Sequence, residues 1–406
     1  MAGIVVIGAG QAAASLVAKL RTEGFTGAIT VIGEEPLAPY QRPPLSKQYL
    51  LKEMELERLF LRSAAFYDEQ KITLRLGDPV TAIDRAGKTV TVGGSAVPYD
   101  QLALATGALP RRLPAAIGGD LEGVYTVRTL ADVDAMAPEF QPSRRLLVIG
   151  GGYIGLEAAA VAAKLGLEVT LVEMAPRILQ RVAATETSDF FRATHRAHGV
   201  TLREGTGLER LTGEGRVRGA RFTDGTEMAV DFVIVGIGIT PDTRLAEAAG
   251  LAIDNGIATD AQGRTSDPAI WAAGDCASFP AGAGRLRLES VGNAIDMGEL
   301  VARNMLGAAQ DYVPKPWFWS DQYDVKLQIA GLNTGYDTIV ARDDGTAGAA
   351  RSVSFWYYGG GRLLAVDAMN DPRAYMIGKR LIEAGKTPDP AVVADPAADL
   401  KALLKA

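Results

Sequence analysis

The residue types that most directly imply chemistry here are glycines. Gly8-x-Gly10-x-x-Ala13 follows the apolar run Ile4-Val5-Val6-Ile7, and Gly150-x-Gly152-x-x-Gly155 follows Leu146-Leu147-Val148-Ile149. In such a pattern the first glycine permits a tight turn and the second lets backbone approach a pyrophosphate. The third small residue lets a helix pack on a strand. The helix that opens there offers free N–H groups and the positive end of its dipole. Glu34 and Glu173 stand 24 and 21 residues beyond the middle glycines, near the ~20 expected for an acid that binds a ribose hydroxyl. Two bound dinucleotides are implied. Glu173 favours NADH over NADPH, because a carboxylate accepts from a 2′-hydroxyl and repels a 2′-phosphate. Arg177 is the counter-signal, since it could pair with that phosphate; its other reading is a surface or capping residue at a Pro-Arg helix entry.

The elements that must position these residues come from sliding the chain against itself. Strand, glycine turn, Ala-rich helix, strand and acid recur from Ile4 to Glu34 and from Leu146 to Glu173. Further on, Asp100 and Asp231 each precede by seven residues a glycine, Gly107 or Gly238, that ends an apolar strand. Before each lies a β-type stretch with turn glycines, around Gly93-Gly94 and Gly225. The chain is therefore predicted to hold two related nucleotide-binding domains. Two dinucleotides in one chain point to a flavin and a nicotinamide, hence to hydride transfer.

Composition narrows the rest. The 406 residues, 48% hydrophobic and 22% charged, describe an ordinary globular protein with room for two to four domains. A net charge of -6 gives no basic field for nucleic acid or anionic lipid. One cysteine, Cys276, excludes an internal disulfide, a Cys-x-x-Cys pair or a cysteine metal cluster. It reads as a small buried filler in the Gly274-Asp275-Cys276 turn. His195 and His198 are too few for a typical histidine metal site and read as solvated residues at a helix end stopped by Gly199, so no metal is expected. No apolar run reaches the ~18 residues of a membrane span, and the first residues enter a strand without a basic leader. The expectation is a protein that stays in a reducing cytoplasm.

Four motifs carry a resemblance: Arg42-Pro43-Pro44-Leu45-Ser46-Lys47, the Gly150 to Glu157 segment, Ala273-Gly274-Asp275-Cys276-Ala277, and Pro316-Trp317-Phe318-Trp319-Ser320-Asp321-Gln322. Together they resemble the FAD-dependent ferredoxin reductases that serve bacterial oxygenases, over nearly the whole chain and weakening after about residue 385. The resemblance implies an α/β protein with two Rossmann-like domains of the glutathione-reductase kind and a C-terminal α+β domain. Its bounds are 1–112 with 243–318 for FAD, 113–242 for NAD and 319–406 for the last domain. It implies that Gly8, Gly10, Ala12 and Ala13 hold the FAD pyrophosphate, Glu34 its ribose, Val80 the adenine and Asp275 the ribityl chain. Arg42, Lys47, Arg128 and Val291 also match FAD-contacting positions. Gly150, Gly152, Ile154, Gly155, Glu173 and Gly238 are the candidate NAD residues. Lys47 and Glu157 are expected as a partly buried pair at the hydride-transfer site, Lys47 favouring reduced flavin and Glu157 orienting the nicotinamide amide. Trp319 matches an aromatic near the flavin ring, although a core tryptophan reads the same in sequence. Trp271, Trp317 and Trp356 are left to packing.

Related two-dinucleotide enzymes that work through thiols carry cysteines well before position 276, and this chain has none there. The implied reaction takes two electrons from NADH and passes them singly to a [2Fe-2S] ferredoxin that feeds a cytochrome P450 or a Rieske-type dioxygenase. A rubredoxin reductase differs only in its acceptor. A redox-signalling flavoprotein resembling apoptosis-inducing factor shares the Pro-Leu-Ser-Lys and Trp-Ser-Asp motifs but not the compact, untargeted, non-basic chain. Arg285, Arg287 and Arg303 read equally as a ferredoxin-docking patch or a solvated mixed-charge face, interrupted by Asp296 and Glu299.

Overall fold

A computed structural model describes residues 3–345 and 351–405. Met1, Ala2 and Ala406, expected at the start of the first strand and the end of a terminal helical run, lie outside the described residues. By internal packing the chain forms two units. One comprises Met1–Arg42, Glu55–Leu109 and Ile239–Pro316; the other comprises Pro43–Met54, Pro110–Gly238 and Trp317–Ala406.

In the first unit a mixed sheet runs in the order Ile72–Leu76, Ile29–Gly33, Gly3–Ile7, Ser95–Leu104, Thr89–Val92, Val80–Asp84, with Ile270–Ala272 also paired to Ser95–Leu104. The strands Ile72–Leu76, Ile29–Gly33, Gly3–Ile7, Ser95–Leu104 and Ile270–Ala272 pair in parallel, in registers such as Val6 opposite Val31 and Leu102 opposite Ile270. Both faces of Gly3–Ile7 are covered, which is why its run of Ile and Val is uninterrupted rather than alternating. Helix Gln11–Thr22 buries Ala13, Leu16, Val17 and Leu20, positions three and four apart on one face. Each of the larger three contributes about 1.5–3 kcal/mol of burial. Helix Val291–Met305 lies against it at Gly298, where a Cβ would stand 2.6 Å from the Ala12 carbonyl oxygen. Only glycine lets these backbones approach so closely.

The second unit repeats the plan. Its parallel sheet runs Thr201–Glu204, Glu168–Glu173, Arg145–Ile149, Phe232–Val235, Val124–Tyr125, with helix Tyr153–Lys164 between the glycine turn and the second strand of the repeat. A small antiparallel sheet of Leu208–Thr212, Gly219–Phe222 and Glu227–Ala229 contains the Gly225 turn, at φ +82°. Asp231 accepts from the backbone N–H and guanidinium of Arg145, 2.8 Å each, fixing the start of a central strand. The same unit holds an antiparallel sheet in the order Trp317–Gln322, Val325–Gly331, Arg362–Met369, Val353–Gly359, Thr338–Asp343. Helix Pro372–Glu383 packs on it at Gly378, whose missing Cβ leaves room for Val366 and Trp356. The C-terminal run contributes buried Val393 and Leu400 to that core.

The fold is thus α/β, with two Rossmann-like sheets and a C-terminal α+β part. No helix among the described residues is long and apolar enough to cross a membrane.

Candidate functional site

The two glycine turns share one backbone conformation at their first glycine. Gly8 and Gly150 both have φ +106°, and a Cβ on either would meet a carbonyl oxygen, of Ala105 at 2.1 Å or Gly236 at 2.3 Å. Ala105 and Gly236 lie five residues beyond the matched Asp100 and Asp231. A Cβ on Gly10 or Gly152 meets nothing within 4 Å, so each middle glycine faces open space at the start of a helix. Neither helix has a side-chain N-cap or an acid in its first turn, which leaves the end N–H groups and the positive dipole available to an anion. The third positions differ: Ala13 is fully buried, whereas a Cβ on Gly155 would stand 2.1 Å from the Gly150 carbonyl oxygen. Two open cradles fit two dinucleotide phosphates.

Around the first cradle, Gly33 abuts Ala9 and leads into Glu34, which is exposed. Gly274, at φ +83°, approaches Ala12 and Ala294, so the turn that carries Asp275 and the helix begun by Val291 both lie beside the glycine loop. Arg42 pairs with Glu35 at 2.6 Å and with the Tyr40 hydroxyl at 3.1 Å, two partners that sequence reading did not name. Val80 begins the strand opposite Val92. Cys276 is buried and its thiol is pushed upward by that burial, as a packing residue would be. Trp271 is likewise core, its ring N–H donating to Gln101. Arg285, Arg287 and Arg303 contact Asp254, Glu289, and Glu23 and Glu299 respectively.

Around the second cradle, Glu173 accepts from the N–H of Gly151 and of Ala175, both at 2.7 Å, and so braces the glycine loop itself. Its oxygens retain lone pairs for hydroxyl donors. Arg177 is spent on its own loop, donating to the carbonyls of Ala183 and Ala184 and to the Ser188 hydroxyl. Ile154 is 43% exposed beside the open glycine. Gly238, at φ +100°, accepts from the Arg111 N–H. Arg128 precedes a capping box, its N–H donating to Asp132.

Lys47 and Glu157 meet in this second unit. Lys47 interrupts a short helical turn, Leu45–Tyr49, and its Nζ lies 2.9 Å from Glu157 Oε1 and 3.6 Å from Asp321. Lys47 is 7% and Glu157 6% exposed, so the pair is more buried than sequence reading expected. Ser320 donates to Glu157 Oε1 at 2.7 Å and Ser46 to Oε2 at 3.3 Å. Burial pushes the Glu157 carboxyl upward, against the pull of Lys47 and Ser320. Trp319 stacks on Trp317, and its ring centroid lies 6.0 Å from Lys47 Nζ.

One sequence expectation is corrected. His195 is not solvated: it is fully buried, within hydrogen-bond distance of Gln322, and burial lowers its pKa to about 4. His198 alone is exposed, stacked on Tyr323. Sequence reading also missed Asp367, a buried carboxylate held by the Thr187 and Tyr357 hydroxyls.

The glycine cradles place the chain among two-dinucleotide oxidoreductases, and comparison with known proteins agrees. A family model for pyridine nucleotide-disulphide oxidoreductases matches residues 2–298, and a reductase C-terminal model matches residues 317–404. Rhodocoxin reductase of Rhodococcus erythropolis is 42% identical over 98% of this chain and 93% of its own. A ferredoxin–NAD(P)+ reductase of a Sphingomonas species is 44% identical over 98% and 96%. The reductase in a covalent putidaredoxin reductase–putidaredoxin complex superposes with a TM-score of 0.94 at 39% identity, covering 100% of this chain and 98% of that one. The chain belongs to the pyridine nucleotide-disulphide oxidoreductase family, among the ferredoxin reductases of oxygenase systems. The family match extends to residue 404. The family implies FAD and NAD(P)H.

Proposed function

We propose that this chain is a cytoplasmic NADH:ferredoxin oxidoreductase, carrying FAD on residues 1–112 and 243–318, NADH on 113–242, and a C-terminal domain on 319–406. Its electron acceptor is a [2Fe-2S] ferredoxin serving a cytochrome P450 or a Rieske-type oxygenase. The observation that carries the reading is the pair of open glycine cradles in a chain whose one thiol is buried and so unsuited to disulfide chemistry. When bound, FAD supplies the conversion of a two-electron hydride into single electrons.

The residues then divide the work. The N–H groups beyond Gly10 and Gly152 bind the phosphates, and Glu34 and Glu173 accept from ribose hydroxyls. Glu173 favours NADH because its carboxylate repels a 2′-phosphate, and Arg177, though charged, has its N–H donors turned to neutral acceptors of its own loop. Lys47 supplies positive charge for the reduced cofactor. Glu157 has about four lone-pair sites, and Lys47, Ser320 and Ser46 occupy three, leaving one on Oε2 for the N–H of a nicotinamide amide.

The test is anaerobic mixing of the yellow protein with NADH or NADPH, followed by oxidised [2Fe-2S] ferredoxin. Rapid bleaching by NADH, slower bleaching by NADPH and reoxidation at catalytic rates are expected. A persistent long-wavelength band that several ferredoxins fail to discharge would refute the electron-transfer reading.

A further inference from the structure

A chain of hydrogen bonds leaves the Lys47–Glu157 pair inside the second unit. Ser320 Oγ lies 2.7 Å from Glu157 Oε1, and Gln322 Nε2 lies 3.1 Å from Ser320 Oγ. His195 Nε2 is 2.8 Å from Gln322 Oε1, and the Tyr323 hydroxyl is 3.2 Å from His195 Nδ1. Ser320, Gln322 and His195 are at most 1% exposed, so each must be satisfied within the protein. Residues 320 and 322 point to the same face of strand Trp317–Gln322, which is what aligns the first two links.

The charge on Glu157 dictates the direction of every bond. A carboxylate oxygen only accepts, so Ser320 must donate to it and, with its proton used, accept from the Gln322 amide. The Gln322 carbonyl then faces His195 and requires a donated Nε2–H. That leaves Nδ1 with the lone pair that the Tyr323 O–H fills. The network assigns both the amide orientation and the imidazole tautomer. A proton on Glu157 Oε1, donated to Ser320, would instead reverse each link, flip the Gln322 amide and put the opposite tautomer on His195. With the ring pKa lowered to about 4 by burial, His195 is neutral at pH 7 and able to take the role.

We infer that Gln322 and His195 are positioning residues for Glu157: they hold the Ser320 hydroxyl as a donor, keeping the buried carboxylate charged and its open lone pair on Oε2 presented to the nicotinamide amide. This role rests on Glu157 serving the hydride-transfer site. Bonds polarised in one direction strengthen one another, so the outer links matter to the carboxylate although they do not touch it.

The chain has two histidines, so nitrogen-15 NMR of histidine-labelled holoprotein resolves the tautomer directly, with a His198→Gln variant assigning the signals. At pH 7 His195 is expected as the neutral Nε2–H form; an Nδ1–H form or an imidazolium would overturn the inference without any variant at the site. In the second arm, Gln322→Met and His195→Phe are expected to weaken NAD+ binding and raise the KM for NADH about 2- to 10-fold, the worth of one hydrogen bond. The KM for ferredoxin stays unchanged. His195→Gln restores NADH binding, because its terminal amide can donate to Gln322 as Nε2–H does. A folded Gln322→Met protein that binds NAD+ like the wild type would equally overturn it. Wild-type protein that shows the Nε2–H form but is not reduced by NADH would refute the hydride-transfer reading and leave the charged Glu157 and its chain standing.

Discussion

Gly152→Ala separates the binding role of the second cradle from its folding role. Gly152 has φ −81° and ψ 178°, extended backbone open to any residue, and a Cβ there meets no protein atom within 4 Å. Folding should therefore lose no packing. Replacing glycine at a compatible position restricts the unfolded chain and adds about 0.4–1 kcal/mol of stability, which offsets a cost of similar size for alanine in place of glycine at this helix N-cap. If a pyrophosphate is drawn against this backbone, however, the methyl group stands in its path. Overpacking of that size costs roughly 1–3 kcal/mol, or about 5- to 150-fold in Kd.

Gly155→Ala is the contrasting variant. Its Cβ would stand 2.1 Å from the Gly150 carbonyl oxygen, so the helix must shift and the melting temperature must fall. Thermal unfolding of both holoproteins, with NAD+ titrations of each, reads the two effects independently. Expected is a nearly unchanged Tm with weakened NAD+ binding for Gly152→Ala, and a lowered Tm for Gly155→Ala. NAD+ binding by Gly152→Ala at wild-type strength, in a normally folded protein, would refute the assignment of this cradle to the nicotinamide dinucleotide.

Burial raises the Asp367 carboxyl from 3.8 to about 6, so the folded state binds more protons than the unfolded state between those values. Stability should fall by about 3 kcal/mol as pH rises through that window; Asp367→Asn, whose carbonyl can still accept from Thr187 and Tyr357, should flatten the profile in urea titrations at pH 4 to 7. Cys276 should resist a thiol reagent in the native protein and react fully in denaturant, and stoichiometric native labelling would contradict its burial. Lys47→Met should lower the flavin midpoint potential and slow reduction by NADH by roughly tenfold, ~1.4 kcal/mol; leaving both unchanged would remove the pair from the hydride-transfer site.

What the sequence made legible was what local geometry determines. The turns at Gly8 and Gly150 share φ +106° because a strand that must reverse into a helix within two residues needs that conformation, and glycine spacing records it directly. The internal repeat is legible for the same reason, since each of its copies solves that one packing problem. The Lys47–Glu157 pair spans more than a hundred residues and is written in no local pattern, so resemblance alone brought it forward.

His195 shows why polar context misleads. Its neighbours in Arg192-Ala193-Thr194-His195-Arg196-Ala197-His198 are polar, and the partner that buries it, Gln322, comes 127 residues later. Yet a signal was present. Thr187, Phe191 and His195 fall at steps of four along helix Thr185–Ala197, and all three are fully buried, whereas His198 falls off that row and is exposed. A polar side chain on the apolar row of an amphipathic helix must find its hydrogen bonds inside the protein, because water cannot reach it there. Thr187 finds Asp367 and Tyr357, and His195 finds Gln322 and Tyr323. One helix face thereby supplies two of the buried polar networks of the second unit, and the periodic position of a polar residue locates such networks better than the polarity of its neighbours.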